Sequence, residues 1–453
     1  MLTRKVTDRV SRIVLLAAGA LSMLVFLLVR VPRAGDSLLS TDGPGYFSYL
    51  PSVIFDGDLD FGNDYARFPW YAPGCVECTP TQTGLVGNPC SVGPAILWIP
   101  FYLTAHALSL AARGTGLPTS VNGYGPIYET AICIGTMTYV TAGCFIAYRL
   151  CRRYFSPHSS VLAVLGVYLA TGLVHYAVAA PANSHALSFF TVSLFLLLWH
   201  PPRSRGSKEW ALLGCAAGLM ALVRWQDVLY AAVLVVEGIQ ALGGANRAGA
   251  RPAVLRQYLR GGLVAGLVAA AVFVPQMVAW SILYGSPVAV PQGTSFFDWS
   301  HPLLLEQLFS TRHGLFTWHP ITLLATLGMI ALWRRDRKVT VALIIPLLLQ
   351  WYLNSILSDW SWESAFGARR FTSAAPVFAL GIAAVSESVA ARSRRGYVIM
   401  TGVVAALVAW NLLFDLQFSW GFIPHDEAIS VHQLTLGKFE MIATLIRHAL
   451  GRL

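Results

Sequence analysis

The stretch that decides the fold is "RIVLLAAGALSMLVFLLVRV", residues 12–31. This apolar run is long enough to cross a bilayer, which takes about 20 residues in a helix. The basic residues before it resemble the start of a signal peptide, but the run is too long and no small-residue cleavage site follows it. We therefore interpret it as a retained first span, and similar runs recur as far as residue 415.

The composition agrees with this interpretation. Of the 453 residues, 55% are hydrophobic and 12% are charged, and the mean hydropathy is +0.58. A soluble domain normally carries about 25% charged residues. A transmembrane barrel would instead show alternating strands of about ten residues. The sequence therefore predicts an all-α polytopic membrane protein.

The net charge of +10 is distributed in short basic clusters between the apolar runs. This distribution is typical of cytoplasmic loops under the positive-inside rule, and it argues against nucleic acid as a partner. If every cluster is cytoplasmic, an even number of spans must separate each neighbouring pair. The clusters lie at residues 4–12, 149–153, 203–208, 247–260, 334–338 and 392–395.

This rule predicts about 11 transmembrane helices within a domain that covers residues 1–415, followed by a short outer-face segment, 416–453. One apolar stretch, 92–112, is left over in the large outer loop 34–126. Its prolines and aromatic residues favour a juxtamembrane helix at the interface. The alternative is that the cluster at 149–153 violates the rule. The predicted spans are 12–32, 127–150, 160–178, 185–200, 209–223, 226–243, 261–284, 317–333, 339–356, 372–391 and 396–415.

The outer loop opens with "STDGPGYFSYLPS", residues 40–52, soon after the first span. Glycines on both sides of Pro44 permit a tight turn that would hold the carboxylate of Asp42 at the membrane surface. An acid in this position can act as a general base toward a hydroxyl acceptor or help to hold a metal. The alternative is that Asp42 is only a helix N-cap or a turn residue.

Two further features of this loop remain open. The stretch "DGDLDFGND" at 56–64 has acids at alternate positions, but it lacks the glycine and the final acid of a calcium loop, which favours a solvated turn. No motif demands a cofactor, and a divalent metal stays possible, with Asp42 and Asp58 as weak candidate ligands. Cys75, Cys78 and Cys90 allow one disulfide in an oxidising compartment, with the pairing undecided.

The predicted outer side includes Arg312, Arg369 and Arg370, against the usual charge bias. Arg369 and Arg370 directly precede a span, and Arg312 lies in an Arg-His-Gly turn before another span. Guanidinium groups in this setting can grip a phosphate in a bidentate manner. Snorkelling to the membrane interface is the alternative. His313 in that turn and His185 at the start of the predicted span 185–200 are further candidate donors to a phosphate or a sugar.

These motifs resemble the GT-C class of integral membrane glycosyltransferases, in the bacterial branch with the aminoarabinose transferases and relatives of the protein O-mannosyltransferases. "TDGPGYFSYLPS" (41–52) resembles the acidic motif of the first outer loop, with Asp42 as its acid and Tyr46 in its aromatic pair. "NPCSVGPAILWIPFYLTAHAL" (88–108) is similar to the proline-rich juxtamembrane helix, and "FGARRFTSAAP" (366–376) to the entry to a late span. Gly43 departs from the pattern, because an acid usually follows the first one.

The resemblance implies an inverting transfer of a sugar from a polyprenyl-phosphate donor to a lipid, polysaccharide or protein acceptor. It places the enzyme in a bacterial inner membrane, with the active site facing the periplasm. A transporter or flippase of lipid-linked sugars, or a non-catalytic scaffold, are the alternatives. The implied roles are Asp42 as base, Arg369, Arg370 and Arg312 as ligands of the donor phosphate, and Tyr46, His185 and His313 as substrate contacts.

Overall fold

The computed structural model describes residues 2–33, 35, 37–71, 75, 78–200, 205–245, 250–358 and 364–450, so that Arg203 and Arg247 of the basic clusters lie outside it. Within these residues the chain is helical, with two isolated β-bridges and no strand. The predicted all-α class is confirmed. The helices are α1 (Leu2–Val25), α2 (Gly43–Pro51), α3 (Gly62–Tyr65), α4 (Gly93–Gly114), α5 (Pro126–Cys151), α6 (Pro157–Leu169), α7 (Leu173–Val178), α8 (Ser184–Trp199), α9 (Ser207–Val223), α10 (Ala232–Ala245), α11 (Arg251–Tyr284), α12 (Leu304–Phe309), α13 (Leu315–Trp318), α14 (Pro320–Arg335), α15 (Arg337–Ser355), α16 (Ala375–Ala390), α17 (Arg394–Ser419), α18 (Val431–Leu434) and α19 (Gly437–Leu450).

Membrane-length helices dominate the described part of the chain. Seven of the eleven predicted spans form such helices, and the other four form the shorter helices α6, α8, α9 and α14. The protein is therefore a polytopic membrane protein. The eight segments that are long and apolar enough to cross a membrane are Val6–Arg33, Gly93–Gly114, Pro126–Cys151, Trp225–Ala245, Arg251–Tyr284, Arg337–Ser355, Arg369–Ala390 and Arg394–Ser419.

One predicted span, 160–178, is interrupted, because α6 ends at Leu169 and α7 begins at Leu173. Asn411 of α17 donates through Nδ2 to the carbonyl oxygens of Leu169 and Thr171, each at 3.0 Å. The amide thus pairs backbone acceptors at the break, which water cannot do inside a bilayer. An apolar pattern does not reveal such a break, since the partner comes from a helix more than 200 residues later.

Basic clusters that are distant in the sequence meet at one end of the bundle, which we call the basic end. Arg152 Nε lies 3.1 Å from Asp8 Oδ1 of α1. The guanidinium of Arg335, at the end of α14, lies 5.2 Å from the centre of the Phe155 ring. Clusters that the sequence assigned to one side of the membrane therefore share one end of the fold.

The helix α4 packs antiparallel against the first half of α5. His106 Nδ1 lies 2.8 Å from the Tyr128 hydroxyl, and Trp98 Nε1 donates to Thr136 Oγ1 at 2.9 Å. Gly93, at the start of α4, packs against the end of α9 that is remote from the basic end. The start of α4 therefore lies near the opposite end of the bundle, which we call the loop end. The juxtamembrane placement of 92–112 stays a prediction, because the length and hydropathy of α4 also suit a span.

The loop 34–126 is more ordered than its acidic sequence indicated. Cys75 and Cys78 form a disulfide, which resolves the pairing that the sequence left open. Asp64, predicted to lie in a solvated turn, is buried and accepts a hydrogen bond from the Tyr124 hydroxyl. Burial raises the pKa of Asp64 to about 7. The guanidinium of Arg67 lies 4.0 Å from the centre of the Tyr124 ring, so this cluster ties the loop to the segment before α5.

Helices α14 and α16 cross through two glycines. A β-carbon at Gly328 would overlap the carbonyl oxygen of Gly381, and a β-carbon at Gly381 would overlap that of Ala325. Without a side chain at either position the two backbones come into direct contact. Small residues allow this close approach between membrane helices, where packing replaces the hydrophobic effect as the driving force.

We expect Gly328→Val to lower the stability of the protein by about 2 kcal/mol or more, because an added side chain must separate the two helices. Gly402→Val is the matched control, since Gly402 lies in α17 and has open space around its α-carbon. Thermal unfolding in detergent compares the two variants with the wild type. Equal midpoints for both variants would contradict the close crossing.

Candidate active site

A cavity of about 450 Å³ opens at the loop end of the bundle. Its walls come from the start of α2, the loop before α4, the ends of α9 and α11, and the segment before α16. Aromatic side chains such as Trp70, Trp225 and Trp280 form part of the lining. The titratable or cationic residues of interest that line it are Asp42, Tyr46, His185, Arg224, Arg369 and Arg370.

Asp42 stands at the N-terminus of α2, where the sequence predicted a tight turn. A turn is present, closed by the hydrogen bond that the Gly43 amide donates to the Ser40 carbonyl at 2.9 Å, and it precedes Pro44. Pro44 fits the first turn of α2, since its missing N–H is one that a helix start leaves unpaired. The carboxylate makes no capping hydrogen bond to α2. Its Oδ2 lies 3.3 Å from Arg369 Nη1, and the side chain is 34% exposed. The N-cap alternative therefore does not account for this carboxylate, which contacts an arginine on the cavity wall.

Arg369 and Arg370 begin a 3-10 turn, Arg369–Ala374, that leads into α16. Gln350 of α15 donates through Nε2 to the Arg370 carbonyl and to Ser373 Oγ, each at 2.7 Å. Tyr230 in turn donates to Gln350 Oε1 at 2.6 Å. A buried polar network therefore fixes the backbone that carries both arginines, which limits the reorganisation needed when a ligand binds.

Arg224 adds a third guanidinium to the cavity. It follows α9, is 8% exposed, and its Nη1 is in contact with Nδ1 of His185. Because a guanidinium can only donate, Nδ1 of His185 is the acceptor and the ring proton is on Nε2. His185 therefore keeps one donor. Among the described lining residues, three arginines face a single acid, Asp42, so that the cavity favours anionic ligands.

The three predicted substrate contacts and the predicted phosphate ligand Arg312 divide into two groups. Tyr46 and His185 line the cavity, and the Tyr46 hydroxyl lies 2.8 Å from Ser184 Oγ. Arg312 and His313 do not line it. His313 is buried in the left-handed region at φ +75°, and neither its Nε2 nor Arg312 Nε has a hydrogen-bond partner among the described residues. The roles of Arg312 and His313 stay predictions.

The two candidate metal ligands are not brought together. Asp58 accepts from Ser52 Oγ at 3.2 Å and from the Asp60 amide at 3.1 Å, and it does not line the cavity. Among the described residues, no group of three or more His, Cys, Asp or Glu side chains could hold a metal. The residues described around Asp42 therefore do not form a metal cage, and we route no chemistry through a metal.

Arg224 is a residue of the cavity wall that is not among the candidates predicted from the sequence. A signal for it was present, because Arg224 interrupts two apolar runs on the predicted outer side, as Arg369 and Arg370 do. That comparison would have grouped the three arginines. The contribution of Gln276 from α11 had no comparable signal, since only the packing of α11 brings it to the cavity.

A cluster behind Arg369 fixes the preceding turn. The Phe366 ring stacks on His175 with 4.9 Å between centroids, and His175 Nδ1 lies 2.6 Å from Asp415 Oδ1. Gly367 follows at φ +63°, and a β-carbon there would overlap Nε2 of the buried His319. The turn that presents Arg369 therefore requires glycine for both its backbone conformation and its contact.

We expect Gly367→Ala to lower the thermal stability of the protein more than Gly421→Ala does. Both glycines have positive φ, and an L-residue there costs about 1 kcal/mol. Only Gly367 also meets a neighbouring side chain, whereas the space around Gly421 is open. Thermal unfolding of the two purified variants measures the difference. A loss that is equal in the two variants would contradict the contact with His319.

Comparisons with known proteins add a likeness in fold. No protein-family model matches the sequence, and no curated protein matches it significantly. Two crystal structures of the Archaeoglobus fulgidus oligosaccharyltransferase, each 15% identical in sequence, are similar in structure. The complex with zinc and sulfate has a TM-score of 0.47 over 92% of this chain and 54% of that chain. The apo form has a TM-score of 0.49 over 90% and 56%. This chain thus spans about half of that protein's length, and the functional assignment below rests on the residues of the cavity.

Proposed function

We propose that this protein is a glycosyltransferase of the GT-C class that moves a sugar from a polyprenyl-phosphate donor to a lipid, polysaccharide or protein acceptor. The observation that carries the proposal is the convergence of one carboxylate, Asp42, and three arginines on a single cavity at the loop end. These groups match the two requirements of the reaction. The acceptor hydroxyl must lose a proton, and the departing lipid phosphate must be held.

Asp42 is the proposed general base. The acceptor oxygen attacks the anomeric carbon of the sugar while its proton passes to the carboxylate. The bond between the anomeric carbon and the phosphate oxygen breaks, and the phosphate departs with the electron pair. A single displacement of this kind inverts the anomeric configuration. Arg369, 3.3 Å from Asp42, fixes the direction of the carboxylate.

Arg369 and Arg370 are the proposed ligands of the donor phosphate, and Arg224 is proposed as a third ligand. Guanidinium groups pair with phosphate through charge-assisted, frequently bidentate hydrogen bonds. Because the phosphate leaves already charged, positioned cations stabilise the transition state and no acid is required. Tyr46 and His185 are the proposed sugar contacts, with a hydroxyl and an imidazole on the same wall.

The proposed location is the inner membrane of a bacterium, with the cavity facing the periplasm. The basic end would then face the cytoplasm, as the positive-inside rule requires. In this setting α4 would lie at the outer interface beside the first half of α5. A lipid-linked donor would reach the cavity from the outer leaflet, and its acceptor would approach from the aqueous side.

Asp42→Asn should abolish the transfer, because the amide cannot accept the acceptor's proton. We expect a loss of about 100-fold or more in the rate of transfer of a labelled sugar from a polyprenyl-phosphate donor by the protein in lipid. Asp298→Asn is the matched control, since this carboxylate is exposed and lies outside the cavity. A wild-type rate of sugar transfer by the Asp42→Asn variant would contradict the assignment of Asp42 as the general base. Movement of the lipid-linked sugar across vesicles without transfer would favour a transporter instead.

Arg370→Gln should weaken donor binding, because it removes a charged hydrogen-bond donor from the cavity. We expect a rise of about tenfold or more in KM for the donor, with a smaller change in KM for the acceptor. Arg392→Gln, at the basic end, is the control. The same measurement on Arg312→Gln tests the remaining arginine. An unchanged donor KM in the Arg370 variant would contradict the phosphate site.

A further inference from the structure

A second cavity, of about 530 Å³, lies at the basic end and has no part in the proposed reaction. Its walls come from α1, from the connection between α5 and α6, and from the ends of α14 and α16. We call it the basic cleft. The side chains that matter to its chemistry are Arg152, Arg153, Arg335, Tyr154, Ser156 and Glu387.

Three guanidinium groups face this cleft, two from the connection between α5 and α6 and one from the end of α14. Arg152 is anchored by Asp8 at 3.1 Å, and the Arg335 guanidinium rests on the Phe155 ring at 5.2 Å. Arg153 Nη1 lies 3.3 Å from His200 Nδ1. The arginines are thus crowded together at defined positions on the cleft wall.

The acid of the cleft is already engaged. Glu387 Oε2 accepts from the backbone N–H of Ser156 at 3.0 Å and from its hydroxyl at 2.5 Å. This carboxylate therefore satisfies the start of α6, where the helix dipole favours a negative charge. Among the described lining residues, three arginines face this one carboxylate. With Asp8 already paired to Arg152, the net charge around the cleft remains positive, which favours an anion.

The surroundings favour a lipid over a soluble anion. Thr7 of α1 lines the cleft, and its neighbours Val6 and Val10 are 60% and 52% exposed. These side chains belong to a membrane-length helix whose exposed apolar face suits acyl chains. Trp333, near the end of α14, is 39% exposed, as is common for tryptophan at a membrane interface. The cleft thus adjoins a surface that lipid tails can cover.

We propose that the basic cleft binds the phosphate of an anionic lipid in the membrane leaflet at the basic end, with Arg153 and Arg335 as headgroup ligands. Basic pockets between membrane helices recognise such headgroups through local positive charge. The tails would lie along the exposed face of α1. This site is separate from the cavity that contains Asp42, and the proposal does not depend on the glycosyltransferase assignment.

Native mass spectrometry of the full chain tests this site, with protein released from micelles that contain equal amounts of phosphatidylglycerol and phosphatidylcholine. The wild type should retain phosphatidylglycerol preferentially. Arg153→Gln combined with Arg335→Gln should lower that retention about tenfold, because each removed charge weakens headgroup attraction. Arg153→Lys combined with Arg335→Lys should retain most of it, which separates loss of charge from loss of fold.

The matched control is Arg256→Gln combined with Arg260→Gln, which removes two exposed charges from α11 outside the cleft. This variant should retain phosphatidylglycerol as the wild type does. Equal loss in both glutamine pairs, or no lipid preference in the wild type, would overturn the site. Displacement of the lipid by millimolar inorganic phosphate would overturn the lipid assignment and indicate a soluble phosphate ligand.

Discussion

The carboxylate of Asp42 and the guanidinium of Arg369 lie 3.3 Å apart, although 327 positions separate them in the sequence. For this pair to form, α2 must dock at the loop end and the 3-10 turn before α16 must present its first residue to the cavity. Arg369 is nearly buried, with its side chain 7% exposed. A buried guanidinium without a negative partner would be costly, so the contact with Asp42 constrains both segments together.

Two buried amide side chains hold irregular backbone in the part of the structure behind this pair. Asn411 pairs the carbonyl oxygens at the break between α6 and α7, and Gln350 pairs the carbonyl of Arg370. Non-helical backbone is tolerated at membrane depth only where protein or a cavity surrounds it. At both places a buried amide side chain supplies hydrogen bonds that the interrupted helix does not make.

The two ends of the bundle use arginine differently. At the loop end, Arg224 and Arg369 are buried beside a cavity that contains one acid. At the basic end, Arg153 and Arg335 are exposed on a cleft whose acid already caps a helix. Both places favour anions. The buried arginines at the loop end interact with an anion in a fixed direction, whereas the exposed arginines at the basic end supply mainly local positive charge. This difference agrees with a reactive site at one end and a lipid contact at the other.

The sequence by itself determined the helical membrane class, the location of most spans, the shared end of the basic clusters, and Asp42, Arg369 and Arg370 as site candidates. Apolar run length and charge are local properties, so they can be read without coordinates. Only the tertiary structure brought Gln276 into the cavity, left Arg312 outside it, and buried Asp64 against Tyr124. These outcomes depend on contacts between segments that are far apart in the sequence, and patterns of hydropathy and charge do not reveal such contacts.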